Sequence, residues 1–534
     1  MKKRINFRRL GVMLDMSRNA VMKPEAVKKY IDIMADLGYN CLMLYTEDTY
    51  EVENQPYFGH NRGRYSVAEL KDLDNYAKLK GIELIPCIQT LAHVDAIFHW
   101  NVYTGIRDCN DILLCDDENT YNLIDDMFAS LSKSFSSRIV NIGMDEAHML
   151  GRGRYYDIHG AEDRFDILLR HLNRVSQIAK KYDFELIMWG DMFFRLLSSG
   201  SHYTVDADVP EKVKQMIPDN VNLVYWDYYS KDKANYDNKI KAHSAIKDDI
   251  WFAGGLWTWS GFAPHNKFSL SATKAAFDSC IEHGVKDVFV TMWGDNGAEC
   301  SKFSVLPSLF YTSELAKGNS DMNSIKQGFE AKFGISFDDF MLLDLPLTPN
   351  GKGDVINSDK YLLYNDCFMG LFDSIVTQED CADFGKMAKA LEEVKENEYS
   401  YLFDTFAALC RVLEKKADLG LKTRKAYNKK DKQALNDLIT EYDNVINLAE
   451  TFYDFYEAQW MRENKPQGFD VQDIRIGGLI RRIKHCKKRL LSFINGEISN
   501  LEELEEELLD IRAREKSEYL TFNSWKDTVT SNII

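Results

Sequence analysis

The chain contains no run approaching the ~18–20 uninterrupted apolar residues of a membrane span, so a membrane-embedded role is not expected. Its ten cysteines, scattered from Cys41 to Cys486, include no Cys-x-x-Cys pair and no compact framework. That excludes a disulfide scaffold and cysteine-ligated metal, and the thiols read as reduced, mostly buried, small apolar residues. Positive charge is outweighed: 66 Lys and Arg face 83 Asp and Glu, for a net charge of −17. A nucleic-acid partner is therefore not expected, because neutralising phosphates needs a dense positive surface. No Gly-x-Ser-x-Gly elbow follows a predicted strand, and no His-Glu-x-x-His is present; Glu146-Ala147-His148 lacks the helical His pair, and His93, His99 and His148 have no metal spacing. Neither a metal nor a cofactor is expected. The basic start, Met1 to Arg9, is followed by an apolar run, Leu10 to Leu14, that Asp15 ends short of the roughly 7–15 residues of an export signal. A cytoplasmic chain is the expectation.

What is present begins with length. At 534 residues the chain exceeds the ~250–300 at which a single core stops growing, so at least two domains are expected. Aromatic residues are plentiful, with 30 Phe, 27 Tyr and 9 Trp. Most belong in cores, but those near strand ends could stack on a small neutral ligand.

Short apolar runs alternate with long amphipathic stretches across the first 300 residues, the pattern of parallel strands joined by helices. Eight strands are predicted, near Leu10–Leu14, Cys41–Tyr45, Glu83–Ile88, Ile139–Met144, Phe184–Trp189, Asn222–Trp226, Trp251–Leu256 and Asp287–Thr291. With no glycine-rich phosphate turn after the first, they predict an α/β fold of the (β/α)₈ TIM-barrel type over residues 1–335. The longest connection, between the third and fourth strands, holds a loop insertion around Asn101–Asn119 and a helix over Tyr121–Phe135. Beyond about residue 335 the spacing becomes helical, as in Leu435, Leu438/Ile439, Tyr442, Val445/Ile446, Ala449 and Phe452, which predicts a C-terminal all-α domain over residues 336–534. The polar break from Trp460 to Gly468 reads as an interhelical loop, and the acidic tract Asn500–Leu509 as one apolar stripe with a solvated face.

Active sites of such barrels lie at the C-terminal strand ends. In order, those ends carry Asp15-Met16-Ser17-Arg18, Thr46-Glu47-Asp48, Gln89-Thr90-Leu91-Ala92-His93, Gly143-Met144-Asp145-Glu146, Trp189-Gly190-Asp191, Tyr225-Trp226-Asp227-Tyr228, Trp257-Thr258-Trp259 and Trp293-Gly294-Asp295-Asn296. Any one could be a cap or an ion-pair partner, but so many carboxylates and tryptophans at one mouth suggest a site. Asp145 and Glu146 stand where an apolar strand bends into a loop. Two neighbouring acids repel each other's ionisation, and burial raises a pKa further, so one can stay protonated to donate while the other stays charged. Such a pair suits glycosidic bond cleavage.

Gly143-Met144-Asp145-Glu146 resembles the Gly-x-Asp-Glu that ends the fourth strand in glycoside hydrolase family 20, the β-N-acetylhexosaminidases. Asp15-x-x-Arg18 is similar to the family's first-strand motif, Glu47-Asp48 to its paired aspartates, His93 to its histidine after the third strand, and Trp293-Gly294-Asp295 to the Trp-x-Glu of the eighth. The resemblance runs over roughly residues 8–310. Glu47 and Asp295 exchange Asp and Glu relative to the family, Asn141 stands where histidine is common, and the small domain that often precedes the barrel is not expected here.

The resemblance implies an exo-acting enzyme that removes terminal non-reducing GlcNAc or GalNAc from a small glycan or glycoconjugate, with retention. In that scheme Asp145 orients the 2-acetamido group, whose carbonyl attacks the anomeric carbon, and Glu146 protonates the leaving oxygen and later deprotonates water. His93 positions Glu146, with contact relayed through Glu47. Arg18 and Asp295 hold sugar hydroxyls, Trp189, Trp257 and Trp293 form apolar walls, and Tyr225 or Tyr228 contacts the acetamido oxygen. Two alternatives stand beside this one: a barrel glycosidase with a distant carboxylate nucleophile, and a sugar-binding chain without turnover.

Overall fold

The computed structural model describes residues 5–197, 211–349, 357–512 and 521–533. Eight parallel strands close into a barrel in chain order: β1 (Arg9–Asp15), β2 (Cys41–Tyr45), β3 (Glu83–Cys87), β4 (Ile139–Asn141), β5 (Glu185–Trp189), β6 (Val221–Trp226), β7 (Trp251–Gly255) and β8 (Asp287–Met292). β8 returns to β1 with Leu10 opposite Val288 and Leu14 opposite Met292, so no strand edge is left open. All five residues of β2 and of β7 and all six of β8 are buried, as expected of parallel strands covered on both faces. The (β/α)₈ expectation is met strand for strand, with no end displaced by more than three residues.

The largest displacement has a local cause. β4 stops at Asn141, three residues before the expected end, because Gly143 and Met144 take φ values of 72° and 69°. The Asn141 side chain accepts a hydrogen bond from Gly143 N at 3.0 Å, which seals the bend.

Helix starts are written into the sequence. Ser66 and Glu69 form a capping box on Val67–Leu79, while Asp117 caps Glu118–Ser134 and Asp163 caps Arg164–Lys180. The insertion after β3 contains two 3₁₀ turns, Asp95–His99 and Asn101–Ile106. All ten cysteines are free thiols, and all but Cys109 are buried. No helix among the described residues is long and apolar enough to cross a membrane.

The chain divides into two compact units: residues 1–256, 269–292 and 309–320 in the first, and residues 257–268, 293–308 and 321–534 in the second. The second is built on long helices, including Ser400–Lys416, Lys432–Glu463 and Phe469–Ile494. In Lys432–Glu463 the predicted stripe from Leu435 to Phe452 is buried, with Ile439 half-buried. The expected interhelical loop is shorter than the break from Trp460 to Gly468: Trp460 to Glu463 continue the helix Lys432–Glu463, and Trp460 Nε1 donates across its end to the Lys465 carbonyl at 3.0 Å. The acidic tract forms one helical turn, Glu502–Glu505, which buries Leu501 and Leu504 and leaves Leu509 exposed.

Polar groups anchor the second unit internally. Glu299 is buried between Lys360, at 2.7 Å, and Arg475, at 3.0 Å. Ser301 donates to the Glu463 carboxylate at 2.7 Å, and Asn357 to the Ser260 carbonyl at 2.7 Å.

Candidate active site

The first unit gathers its charged side chains where β1 to β4 end. Asp15, at the end of β1, accepts from Ser17 N and Oγ at 2.9 and 3.0 Å and pairs with Arg18 at 3.1 Å. Arg18 lies over the Tyr45 ring at 4.8 Å and pairs with Glu47 at 3.3 Å. Glu47 also accepts from the Tyr45 hydroxyl at 3.0 Å. Burial raises the Glu47 carboxyl pKa, and the Arg18 charge works against that rise.

From Tyr45 the network passes to Gln89, which is fully buried after β3. Its Nε2 donates to the Tyr45 hydroxyl at 2.9 Å and to Asp145 Oδ1 at 2.7 Å, and its Oε1 accepts from Met144 N at 3.1 Å. His93 faces the other Asp145 oxygen, with Nε2 at 3.3 Å from Oδ2 and 3.7 Å from Glu146 Oε2. The nearer approach is an ion contact and not an aligned hydrogen bond. His93 holds a left-handed backbone at φ 57°, its N–H donating to Asp111 Oδ2 at 3.1 Å.

These contacts give the acids different characters. Burial opposes the His93 charge, but the Asp145 carboxylate outweighs it and lifts the imidazole pKa to about 9. Reciprocally, burial pushes the Asp145 carboxyl up, while the His93 charge and the Gln89 donor bring it below the ordinary carboxylate range. Asp145 is thus a buried, ionised acceptor. The Glu146 side chain is 42% exposed, open to proton exchange with a ligand.

Asp191, after β5, is a third acid at this place. It accepts from Glu146 N at 3.0 Å and from Trp226 Nε1 at 3.3 Å. Burial, then the charge of Asp145, raises it to about 7. Glu146 and Asp191 face a cavity of about 620 Å³ that Trp226, Asp227, Tyr229 and Arg195 also line. Asp227 is held there by Lys239 at 2.7 Å and Asn235 at 2.9 Å.

The structure thus joins Arg18, Glu47, His93, Asp145 and Glu146 in one constellation. Glu47 contacts Arg18 and Tyr45, while His93 approaches Asp145 more closely than Glu146. Trp189 is buried, its ring 5.9 Å from Phe289 of β8. Tyr225 is buried too, packed on His243 at 4.8 Å and donating to Asp227 at 3.0 Å. Tyr228 stacks on Trp226 at 5.3 Å, and it is Tyr229, 59% exposed, that lines the cavity. Trp257, Trp293 and Asp295 belong to the second unit. There Trp257 stacks on Trp259 at 4.8 Å, the Trp293 carbonyl accepts from Thr258 Oγ1 at 2.7 Å, and Asp295 is exposed.

Gln89, Asp191 and Trp226 were visible as strand-end residues, but no role followed from the sequence. The signal that could have found them is position alone, since each sits within two residues of a strand end. Among the described residues no group of three or more His, Cys, Asp or Glu is arranged to hold a metal.

A closed parallel barrel with an ionised aspartate beside a solvent-accessible glutamate after β4 defines the class: a TIM-barrel protein with a carboxylate-pair site. Two family descriptions match in succession, "Glycosyl hydrolase family 20, catalytic domain" over residues 7–247 and "Glycoside Hydrolase 20C C-terminal domain" over residues 338–523. The chain belongs to glycoside hydrolase family 20. It is 24% identical to hexosaminidase D of Bos taurus over 243 residues, which cover 42% of this chain and 63% of the relative. With hexosaminidase D of Homo sapiens it shares 23% identity over 228 residues, covering 41% of this chain and 44% of the relative. The matches therefore span less than two thirds of either relative. Among solved structures, the β-N-acetylhexosaminidase of Bacteroides fragilis aligns at a TM-score of 0.47 and 19% identity, covering 61% of this chain and 70% of that one. The chitobiase of Flavobacterium johnsoniae aligns at 0.47 and 14%, covering 93% and 74%.

Proposed function

We propose that the chain is an exo-acting β-N-acetylhexosaminidase that removes terminal non-reducing GlcNAc or GalNAc from a small glycan or glycoconjugate. In this reading residues 1–335 form the catalytic domain and residues 336–534 a helical domain. The observation that carries it is the division of labour at the end of β4: Asp145 is buried and kept ionised by His93 and Gln89, while Glu146 opens to the cavity.

A buried carboxylate held from two sides is poorly placed to attack an anomeric carbon, but well placed to accept the N–H of a 2-acetamido group. As that group's carbonyl oxygen attacks C1 and the glycosidic bond breaks, positive charge develops on the acetamido unit, and the Asp145 charge stabilises it. Glu146 gives its proton to the leaving oxygen, then removes one from the water that opens the ring intermediate. Both displacements invert C1, so the product retains its configuration. Arg18, supported by Asp15 and Glu47, supplies charge-assisted hydrogen bonds to sugar hydroxyls.

The test compares nitrophenyl β-N-acetylglucosaminide with nitrophenyl β-glucoside, with and without an N-acetylglucosamine thiazoline that copies the ring intermediate. Turnover of the first substrate alone, blocked competitively by the thiazoline, is expected. Turnover of the glucoside, or a covalent sugar trapped on a carboxylate, points instead to a conventional retaining glycosidase. Binding without turnover of either points to a lectin-like role.

A further inference from the structure

Among the buried polar groups of the site that the general acid, its partner and the histidine leave unused is Gln89. Gln89 has no exposure to solvent, yet every hydrogen-bonding direction of its amide that meets a site residue is occupied. Its orientation is forced. Reversing the amide would set Oε1 against the Asp145 carboxylate and Nε2 against the Met144 N–H, two repulsive contacts in place of two hydrogen bonds. The backbone makes room for this side chain: a Cβ on Gly143 would lie 2.0 Å from Gln89 Oε1.

We propose that Gln89 is a positioning residue for the reaction: it clamps Asp145 through Oδ1, turns Oδ2 toward His93 and Glu146 to receive the substrate acetamido N–H, and through Tyr45 and Glu47 ties that setting to Arg18. The proposal rests on the reading of Asp145 given above. Three contacts carry it. Nε2 saturates one side of Oδ1 at 2.7 Å, so the carboxylate cannot rotate about its Cβ–Cγ bond without breaking a charge-assisted hydrogen bond. Oε1 holds Met144 N at 3.1 Å, which fixes the left-handed residue immediately before Asp145. The second Nε2 hydrogen reaches the Tyr45 hydroxyl at 2.9 Å, and that hydroxyl donates to the carboxylate paired with Arg18. A side chain that held the bend alone would need only the second contact.

The decisive variants are Gln89→Met and Gln89→Glu. Methionine keeps the volume and removes all three hydrogen bonds. Displacing a reacting group by about 1 Å can cost on the order of 100-fold, and a loss of that order in kcat on nitrophenyl β-N-acetylglucosaminide is expected, with a smaller change in KM. Glutamic acid, while protonated, is nearly isosteric with glutamine: its hydroxyl donates to Asp145 and its carbonyl accepts from Met144 N. Gln89→Glu is therefore expected to exceed Gln89→Met at least 10-fold near pH 5. The gap closes as the introduced carboxyl ionises against Asp145, or persists to higher pH if burial keeps that carboxyl protonated.

The clamp is overturned if Gln89→Met equals wild type, or if the two variants are indistinguishable at every pH while both remain folded by circular dichroism. Should neither fold, Tyr45→Phe decides: a several-fold loss of kcat at constant KM supports the tie to Arg18, and unchanged kinetics overturns the proposal. A wild type that fails to turn over the N-acetylglucosaminide overturns the functional reading with it, whereas an active wild type beside an indifferent Gln89→Met overturns the clamp alone.

Discussion

Asp145 and Glu146 are neighbours in sequence and opposites in environment, and the difference comes from what touches them. One carboxylate is buried against a cationic imidazole and an amide donor, the other is 42% exposed. If Glu146 donates the proton, Glu146→Gln loses about 10²–10⁴-fold on substrates with poor leaving groups and much less on those whose leaving group needs no protonation. Equal losses on both classes would remove the assignment. Asp145→Asn keeps the shape without the charge, so it is expected to weaken thiazoline binding more than binding of simple neutral sugars, as an inhibition series can measure. Two raised groups of the site, His93 and Asp191, contribute to the pH response. His93, at about 9, lies above the ~6.5 of a free imidazole, so its stabilising contribution is full below that value and is lost as pH rises through 9. Asp191, at about 7, also lies above its ordinary range, and its contribution is lost as pH rises through 7. The melting temperature is therefore expected to fall between about pH 4 and 9, the Asp191 share below about 7 and the His93 share above about 6.5, and in His93→Gln the upper part of that fall disappears. An identical pH dependence in the variant would show that His93 is not charged in the fold.

At the scale of the element, the bend after β4 decides where the acids point. In a regular strand, successive side chains alternate between faces, and Asp145 and Glu146 would diverge. Gly143, Met144 and Glu146 instead take positive φ values, 72°, 69° and 51°, and bring both acids to the same end of the barrel. Gly143→Ala adds a methyl that meets Gln89 Oε1 in a conformation side chains rarely adopt, so a loss of about 2–3 kcal/mol is expected. Thermal melting and kcat should fall together; a variant as stable as wild type would mean that the bend relaxes freely. This element also shows where the sequence was hard to read. The run Ile139 to Met144 has the composition of a strand throughout, and nothing in it announces that Met144 is left-handed. That conformation is fixed by Gln89, 55 residues earlier.

For the molecule as a whole, the second unit carries a buried charge cluster whose members are far apart in sequence. The side chains of Glu299 and Lys360 are 2% and 1% exposed and meet at 2.7 Å. Removing one member of such a pair leaves an uncompensated buried charge, at a cost of about 3–5 kcal/mol. Because Arg475 still faces Glu299, Lys360→Met is expected near the lower end, and adding Glu299→Gln should recover part of the loss in a chemical denaturation series. A neutral Lys360→Met would show that the cluster is solvated. The same cluster predicts that a chain ending at residue 335 misfolds, because Glu299, Ser301 and Ser260 would lose Lys360, Arg475, Glu463 and Asn357. A soluble, fully active truncation would overturn this expectation.

Eight strands and a helical C-terminal half could be read from periodicity, because burying a parallel strand on both faces demands an unbroken apolar run and a helix buries one stripe. The acids at the strand ends were legible for a similar reason: barrel topology sends all eight C-terminal strand ends to one rim, so Asp15, Glu47, Asp145 and Asp191 had to share it. What periodicity could not carry was contact. Whether His93 met Asp145 or Glu146, whether Tyr225 turned into the packed interior while Tyr229 lined the cavity, and whether Gln89 was filler or clamp depended on side-chain directions set by residues distant in sequence. The sequence by itself determined which elements form and which chemical groups they deliver to the rim. Only the tertiary structure decided which acid is ionised, because a carboxyl's proton affinity depends on burial and on charges a few ångströms away, and those neighbours exist only once the barrel has closed.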